Sequence, residues 1–208
     1  MKTIGRTIVQ LPTVKEISLV AANKLQNLDN LKKPTKNKGS RGQLAENVLG
    51  LDNTNTLTDC KDGDVKTFTI GQTIFITQLK HCLHDIVINH VPFEDSKPGR
   101  KIANCCYIPY SKDGHNMGSY FVSNKTHSHH YKKLAEDYDF ICKTIREKYE
   151  KKETLSTING PNKLLQIRTK ASKIQGVYPP LMFNGVQLKD KYMAFYIRAK
   201  FGKSLVNN

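Results

Sequence analysis

The sequence predicts an α/β or α+β single domain, a mixed central β-sheet flanked by helices. Three observations predict it. Segments of helical and strand periodicity follow in the order helices, mixed strands, helix, strand, helix, which suits a layered sheet. A chain of 208 residues is long enough to bury a proper core. Hydrophobic residues at 38 % and charged residues at 25 % are ordinary for a globular domain with polar loops.

The elements are expected in this order. Residues 13–31 carry Val14, Ile17, Leu19, Val20, Leu25 and Leu28, the spacing of a helix or helix pair. Lys32, Lys33, Lys36, Lys38 and Arg41 then form a basic loop broken by proline and glycine. From Arg41 to Leu49 a second helix places Leu44, Val48 and Leu49 on one face and stops at Gly50. Glu46 sits at the edge of that face, a costly place for a carboxylate unless something positive meets it. After a polar loop comes a strand through Val65, Phe68 and Ile70, and further strands are expected at 73–79, 86–88 and 103–110. Residues 111–130 are polar and glycine-containing, the composition of a loop or flap. Residues 134–149 form the clearest helix, with Leu134, Tyr138, Ile141, Cys142, Ile145 and Tyr149 at helical spacing. A last core strand is expected at 164–168. A final helix is expected at 190–201, with Tyr192, Phe195, Tyr196 and Ala199 on one side and Lys191, Arg198 and Lys200 on the other. Residues 1–35 read as an N-terminal helical segment packed on or preceding a core formed by residues 36–208.

Composition narrows the function. The chain holds 33 Lys and Arg against 18 Asp and Glu, a formal charge of +15, with a pI near 9.6. Such a balance points to a polyanionic partner, and phosphate contacts by Lys and Arg supply most non-specific nucleic-acid affinity. No apolar run approaches bilayer length and the N-terminus lacks a signal-peptide core, so a cytoplasmic protein with no membrane partner is expected. The five cysteines form no disulfide framework and read as reduced thiols. His115, His127, His129 and His130 fit no structural-zinc spacing, and Walker loops, dinucleotide fingerprints and Ser-His-Asp arrangements are absent.

The chemistry concentrates in Thr58-Asp59-Cys60-Lys61-Asp62-Gly63-Asp64-Val65-Lys66-Thr67. Asp64 and Lys66 are two apart, so on a strand both leave from one face. Asp59, ahead of an Asp-Gly turn, can return to the same point from the neighbouring strand. Two carboxylates hold a hard divalent cation, with the Val65 carbonyl as a third protein ligand, and a lysine beside them orients or activates a water. The plainer reading is a solvated hairpin whose acids shape the turn and whose lysine keeps the edge soluble.

Several separated segments, in order, resemble the MutH family of DNA mismatch repair endonucleases and the related GATC-cutting type II restriction enzymes of the PD-(D/E)xK superfamily. They are Lys38-Gly39-Ser40-Arg41-Gly42-Gln43-Leu44-Ala45-Glu46 with Leu49-Gly50; Asp59 with Asp64-Val65-Lys66-Thr67; Lys101 ahead of Tyr107-Ile108-Pro109; Glu136-Asp137-Tyr138; Leu165 to Ala171; and, more loosely, Leu188-Lys189. The resemblance implies a restriction-endonuclease-like fold and a Mg²⁺-dependent, sequence-specific DNA endonuclease, with Mn²⁺ as a substitute ion. It implies Glu46, Asp59, Asp64 and Lys66 as active-site residues, Glu46 binding a second ion or a bound water, and Lys101 as a further functional lysine. Lys38, Arg41, Arg100, Arg168, Lys170, Gln187 and Lys189 are the expected DNA contacts. Asp64 stands where relatives usually have Glu, and the short Asp59–Asp64 spacing leaves Asp62 as a substitute ligand. Near Gln187 the family's aromatic residue is missing. Double-stranded DNA is the expected partner, with a homodimer on DNA and a MutL-like protein as further partners and a nucleoid location if the source is bacterial. Restriction-type cleavage at a GATC-like site is the first expectation; strand nicking for mismatch repair and a catalytically silent DNA-binding relative are the alternatives.

Overall fold

The computed structural model describes residues 11–26, 40–51, 57–170 and 173–206. Its elements run α1 (Val14–Gln26), α2 (Ser40–Leu49), β1 (Asp64–Thr69), β2 (Ile74–Gln78), α3 (Leu83–Val87), α4 (Lys97–Ala103), β3 (Asn104–Tyr110) and β4 (Tyr120–Ser123). They continue with α5 (Ser128–Glu150), β5 (Ile158–Asn159), β6 (Leu165–Thr169), β7 (Leu181–Phe183), β8 (Val186–Lys189), β9 (Met193–Ile197) and α6 (Ala199–Val206).

The strands make a mixed three-stranded sheet in the order β1-β3-β4, a four-stranded sheet β2-β9-β6-β5, and a two-stranded ribbon β7-β8. β1 and β3 are parallel, with Asp64 opposite Cys105; β3 and β4 are antiparallel. Strand alternation gives β3 two buried faces. Cys106, Ile108 and Tyr110 join Val65 in a cluster with Val14, Ile17, Ala21 and Leu25 of α1 and Ala45 and Leu49 of α2. Cys105 and Tyr107 turn the other way, with Phe68, into the main core beneath the four-stranded sheet and α5.

Helix α1 forms because its start is closed twice. Thr13 and Glu16 make a capping box: Thr13 N–H donates to the Glu16 carboxylate at 2.7 Å and Glu16 N–H donates to Thr13 Oγ1 at 3.3 Å. The Asp62 carboxylate then accepts from the Val14 N–H at 2.8 Å, tying the helix start to the acidic turn.

Three expectations are corrected. Residues around 86–88 are not a strand; Leu83 and Ile86, three apart, are buried on the short helix α3. The stretch 111–130 holds the strand β4 and the start of α5. The expected final helix at 190–201 is strand β9 followed by α6. All five residues of β9 are buried, so the alternation that would have marked a strand is absent. Lys101 precedes the strand beside the acidic turn as expected, but on α4 itself.

In the main core, the buried Asp137 carboxylate of α5 accepts from the backbone N–H groups of Asn162 at 2.6 Å and of Leu164 and Leu165, each at 2.8 Å. Gly160 lies against it so closely that a Cβ there would run into the carboxyl group. This contact sets where β6 begins.

Candidate active site

Strand β1 lies at the edge of the three-stranded sheet, and the turn ahead of it is narrow: Cys60 N–H donates to the Gly63 carbonyl at 2.9 Å. Gly63 is needed for close approach, because an added Cβ would strike the Asn104 backbone. Asn104 Nδ2 donates to the Asp62 carbonyl at 2.9 Å and fastens the turn to the first residue of β3.

This packing brings four sequence-selected side chains together. Asp64 is fully buried and its Oδ2 meets Lys66 Nζ at 2.5 Å and Lys101 Nζ at 3.1 Å. The other oxygen, Oδ1, accepts from the Asp59 N–H at 3.2 Å. Asp59 Oδ2 accepts from the Val65 N–H at 3.1 Å and lies 3.8 Å from Lys66 Nζ. Lys66 Nζ donates to the Val65 carbonyl at 3.2 Å. Asp59, Asp64 and the Val65 carbonyl thus converge on a single cation, and that cation is the Lys66 ammonium.

The electrostatics follow from this crowding. Burial, together with a hydrogen bond shared with Asp64, pushes the Asp59 carboxyl up to about 7. Burial also opposes ionisation of Asp64, but Lys66 and Lys101 overcome it and hold this carboxyl below its ordinary value. Burial likewise works against the charge on Lys66, yet Asp64 and Asp59 outweigh it and raise its pKa. Between the two carboxylates Lys66 is held as an ammonium.

Other candidates are placed differently. Asp62 spends Oδ1 on the Val14 N–H, so its visible role is a helix cap. Half-buried Glu46 lies beside Gly42, which sits against Thr67. Thr67 leaves β1 on the face opposite to Asp64 and Lys66. Among the described residues no three histidine, cysteine or acidic side chains gather as a metal-holding group, so Glu46 does not complete one with Asp59 and Asp64. Arg100 is exposed on α4. Gln187 and Lys189 lie on β8, in the separate ribbon, and Lys189 Nζ stands 3.8 Å from Asp190. Lys38 lies outside the described residues, as does the side chain of Arg41.

Arg168 and Lys170 leave the same side of the four-stranded sheet, each over an aromatic ring: Arg168 Cζ is 4.5 Å from the Tyr196 centroid and Lys170 Nζ 4.3 Å from that of Phe75. The sequence reading passed over Phe75 and Lys97. A signal existed for the second, since Lys97 and Lys101 are four apart and share a helix face. Burial pushes the Cys60, Cys82, Cys106 and Cys142 thiols up to about 12, which removes them as nucleophiles at neutral pH.

No protein-family model matches the chain, and no curated protein matches it. The resemblance given by the motif segments therefore stands on those residues alone. Among the described residues no helix is long and apolar enough to cross a membrane.

Proposed function

We propose that the chain is a Mg²⁺-dependent endodeoxyribonuclease that hydrolyses phosphodiester bonds in double-stranded DNA, cutting in the manner of a type II restriction enzyme. One observation carries the reading: Asp59, Asp64 and the Val65 carbonyl converge on one cation-binding point, held here by the Lys66 ammonium, with Lys101 alongside on Asp64. These are three hard oxygen donors around a point already holding a positive charge, so their chemistry fits Mg²⁺, or Mn²⁺ in its place. A divalent ion held there would supply a polarised water and positive charge at the scissile phosphate.

The chain's own residues do the rest. Asp64, fixed by Lys101, and Asp59, fixed by the Val65 N–H, would hold the ion, Asp59 releasing its proton to do so. The Lys66 ammonium would leave the carboxylates for the phosphate, where as a fixed cation it orients the attacking water and stabilises developing charge. Lys101 keeps the buried Asp64 ionised. The GATC-like site comes from the motif resemblance, as does the second reading, strand nicking activated by a MutL-like partner.

The test is incubation of unmethylated supercoiled plasmid with the protein, with and without Mg²⁺, beside Asp64→Asn and Lys66→Ala. Discrete Mg²⁺-dependent cuts are expected from the wild type, and rates at least ~100-fold lower from both variants. Linear products select restriction-type cleavage and nicked circles select strand nicking. Undiminished cutting by either variant, or DNA binding without cutting in any divalent ion, overturns the assignment.

A further inference from the structure

The outer face of the four-stranded sheet carries a group of aromatic and basic side chains that phosphodiester hydrolysis itself does not use. Phe75 of β2 is opposite Tyr196 of β9, and their rings meet edge to face with centroids 5.7 Å apart. Arg168 and Lys170, from β6 and its end, lie over those two rings. Phe75 is 38 % exposed, unusual for a large aromatic on a strand that also carries the buried Ile74 and Ile76. Lys80, over the Tyr192 ring at 4.8 Å, extends the group.

Lys170 is held below its ordinary value by burial and then by nearby Lys80, and His81 by burial and then by Lys97, Lys80 and Lys170. These cations therefore feel one another. Among the described residues no carboxylate pairs with Lys80, Lys97, Arg168 or Lys170. Lys97 opens α4 and Lys101, on the same helix face one turn later, touches Asp64. A turn advances about 5.4 Å, so the basic strip runs into the catalytic cluster.

Uncompensated, mutually close cations are tolerated where an anion binds, and their spread along a face suits successive phosphates. An exposed ring among them has no use for the outside of a duplex, whose bases are stacked inward. Unpaired bases, by contrast, present a flat face to aromatic and guanidinium planes. We propose that this face binds an unpaired DNA strand, with a base stacking on Phe75 and phosphates on Lys170, Lys80 and Lys97. Arg168, over the Tyr196 ring, would present its guanidinium to the same or the next base. The strand would then run along α4 toward Asp64. This inference rests on the DNA-binding part of the proposed function and is independent of catalysis.

The test is fluorescence anisotropy in EDTA, where cleavage is absent, with labelled single strands of about twelve nucleotides. One strand carries thymines throughout; the other has the same phosphates with abasic sites. Wild type is expected to bind the thymine strand about tenfold more tightly than the abasic one, the effect of one stacked base. Phe75→Ala and Phe75→Leu should bring that ratio close to one while keeping abasic-strand affinity and the melting temperature. Lys170→Ala should weaken both strands alike. Equal binding of the two strands by wild type, or a ratio that survives both Phe75 variants, overturns the inference. Plasmid cutting with no base preference defeats this inference alone; base-dependent binding without cutting defeats only the catalytic reading.

Discussion

Asp59 is the residue whose ionisation the fold disturbs in the most measurable way. Its carboxyl titrates near 7 in the folded chain against an ordinary value of 3.8, so between those limits the folded state holds a proton that the unfolded state has released. Stability without metal must then fall as pH rises through that window, with the full contribution present only below 3.8. Thermal denaturation in EDTA across this range should show the decline, and Asp59→Asn should flatten it and melt higher than wild type at pH 8. Parallel pH profiles for the two proteins would reject the shared-proton arrangement. Asp62 offers a second residue-scale test, because helix cap and metal ligand make different demands. Asp62→Ala should cost about 1 kcal/mol of stability, the usual loss of a cap, while the midpoint of Mg²⁺ binding stays within about twofold. A tenfold weaker midpoint with unchanged stability would return Asp62 to the ligand set.

At the scale of elements, the junction between α5 and β6 depends on one carboxylate. Asp137→Ala leaves the Asn162, Leu164 and Leu165 N–H groups without their acceptor, and a loss of about 3 kcal/mol or more is expected in urea denaturation. Gly160→Ala should be damaging for the complementary reason, since its methyl group displaces that carboxyl. Variants within ~0.5 kcal/mol of wild type would show that the junction holds without them. The same scale shows what the sequence made legible. Helix α5 is a long amphipathic stripe, and β1, β2, β3 and β6 each carry enough apolar or alternating residues to be read directly. Strand β9 is buried on both faces, so Tyr192, Phe195, Tyr196 and Ala199 fall at helical spacing by coincidence. The capping box of Thr13 and Glu16, which marks the start of α1, was not part of that reading. The pairing of Asp64 and Lys66 followed from strand parity, whereas Asp59 reaches them from a bend rather than from the neighbouring strand that its turn suggested. The arrival of Lys101 at Asp64 did not, because it depends on parallel packing between segments far apart in the chain.

For the whole molecule, the two layers serve different ends. The α1 and α2 layer closes the back of β1 and β3, while the main core presents Asp64, Lys66 and Lys101 on the front. The positive charge of the chain is unevenly answered: Lys66 and Lys101 share the buried Asp64 carboxylate, whereas among the described residues the strip on the outer sheet has no acidic partner. The lysines of the buried cluster are thus engaged internally, while those of the strip face outward without an acidic partner among the described residues.

The parallel register of β1 and β3 has a consequence in time. Asp64 and Lys101 are separated by 37 residues, and that crossover must close before the buried carboxylate finds its lysine. Helix α5 needs only neighbours along the chain. Pulse-labelled hydrogen exchange during refolding should therefore protect α5 amides first and those of Val65 to Thr69 last. Simultaneous protection would mean a single cooperative step. With the expected order, a newly made chain passes through a stage that is largely folded while the contacts of Asp64 with Lys66 and Lys101 are still open, and that cluster is the last part of the molecule to form.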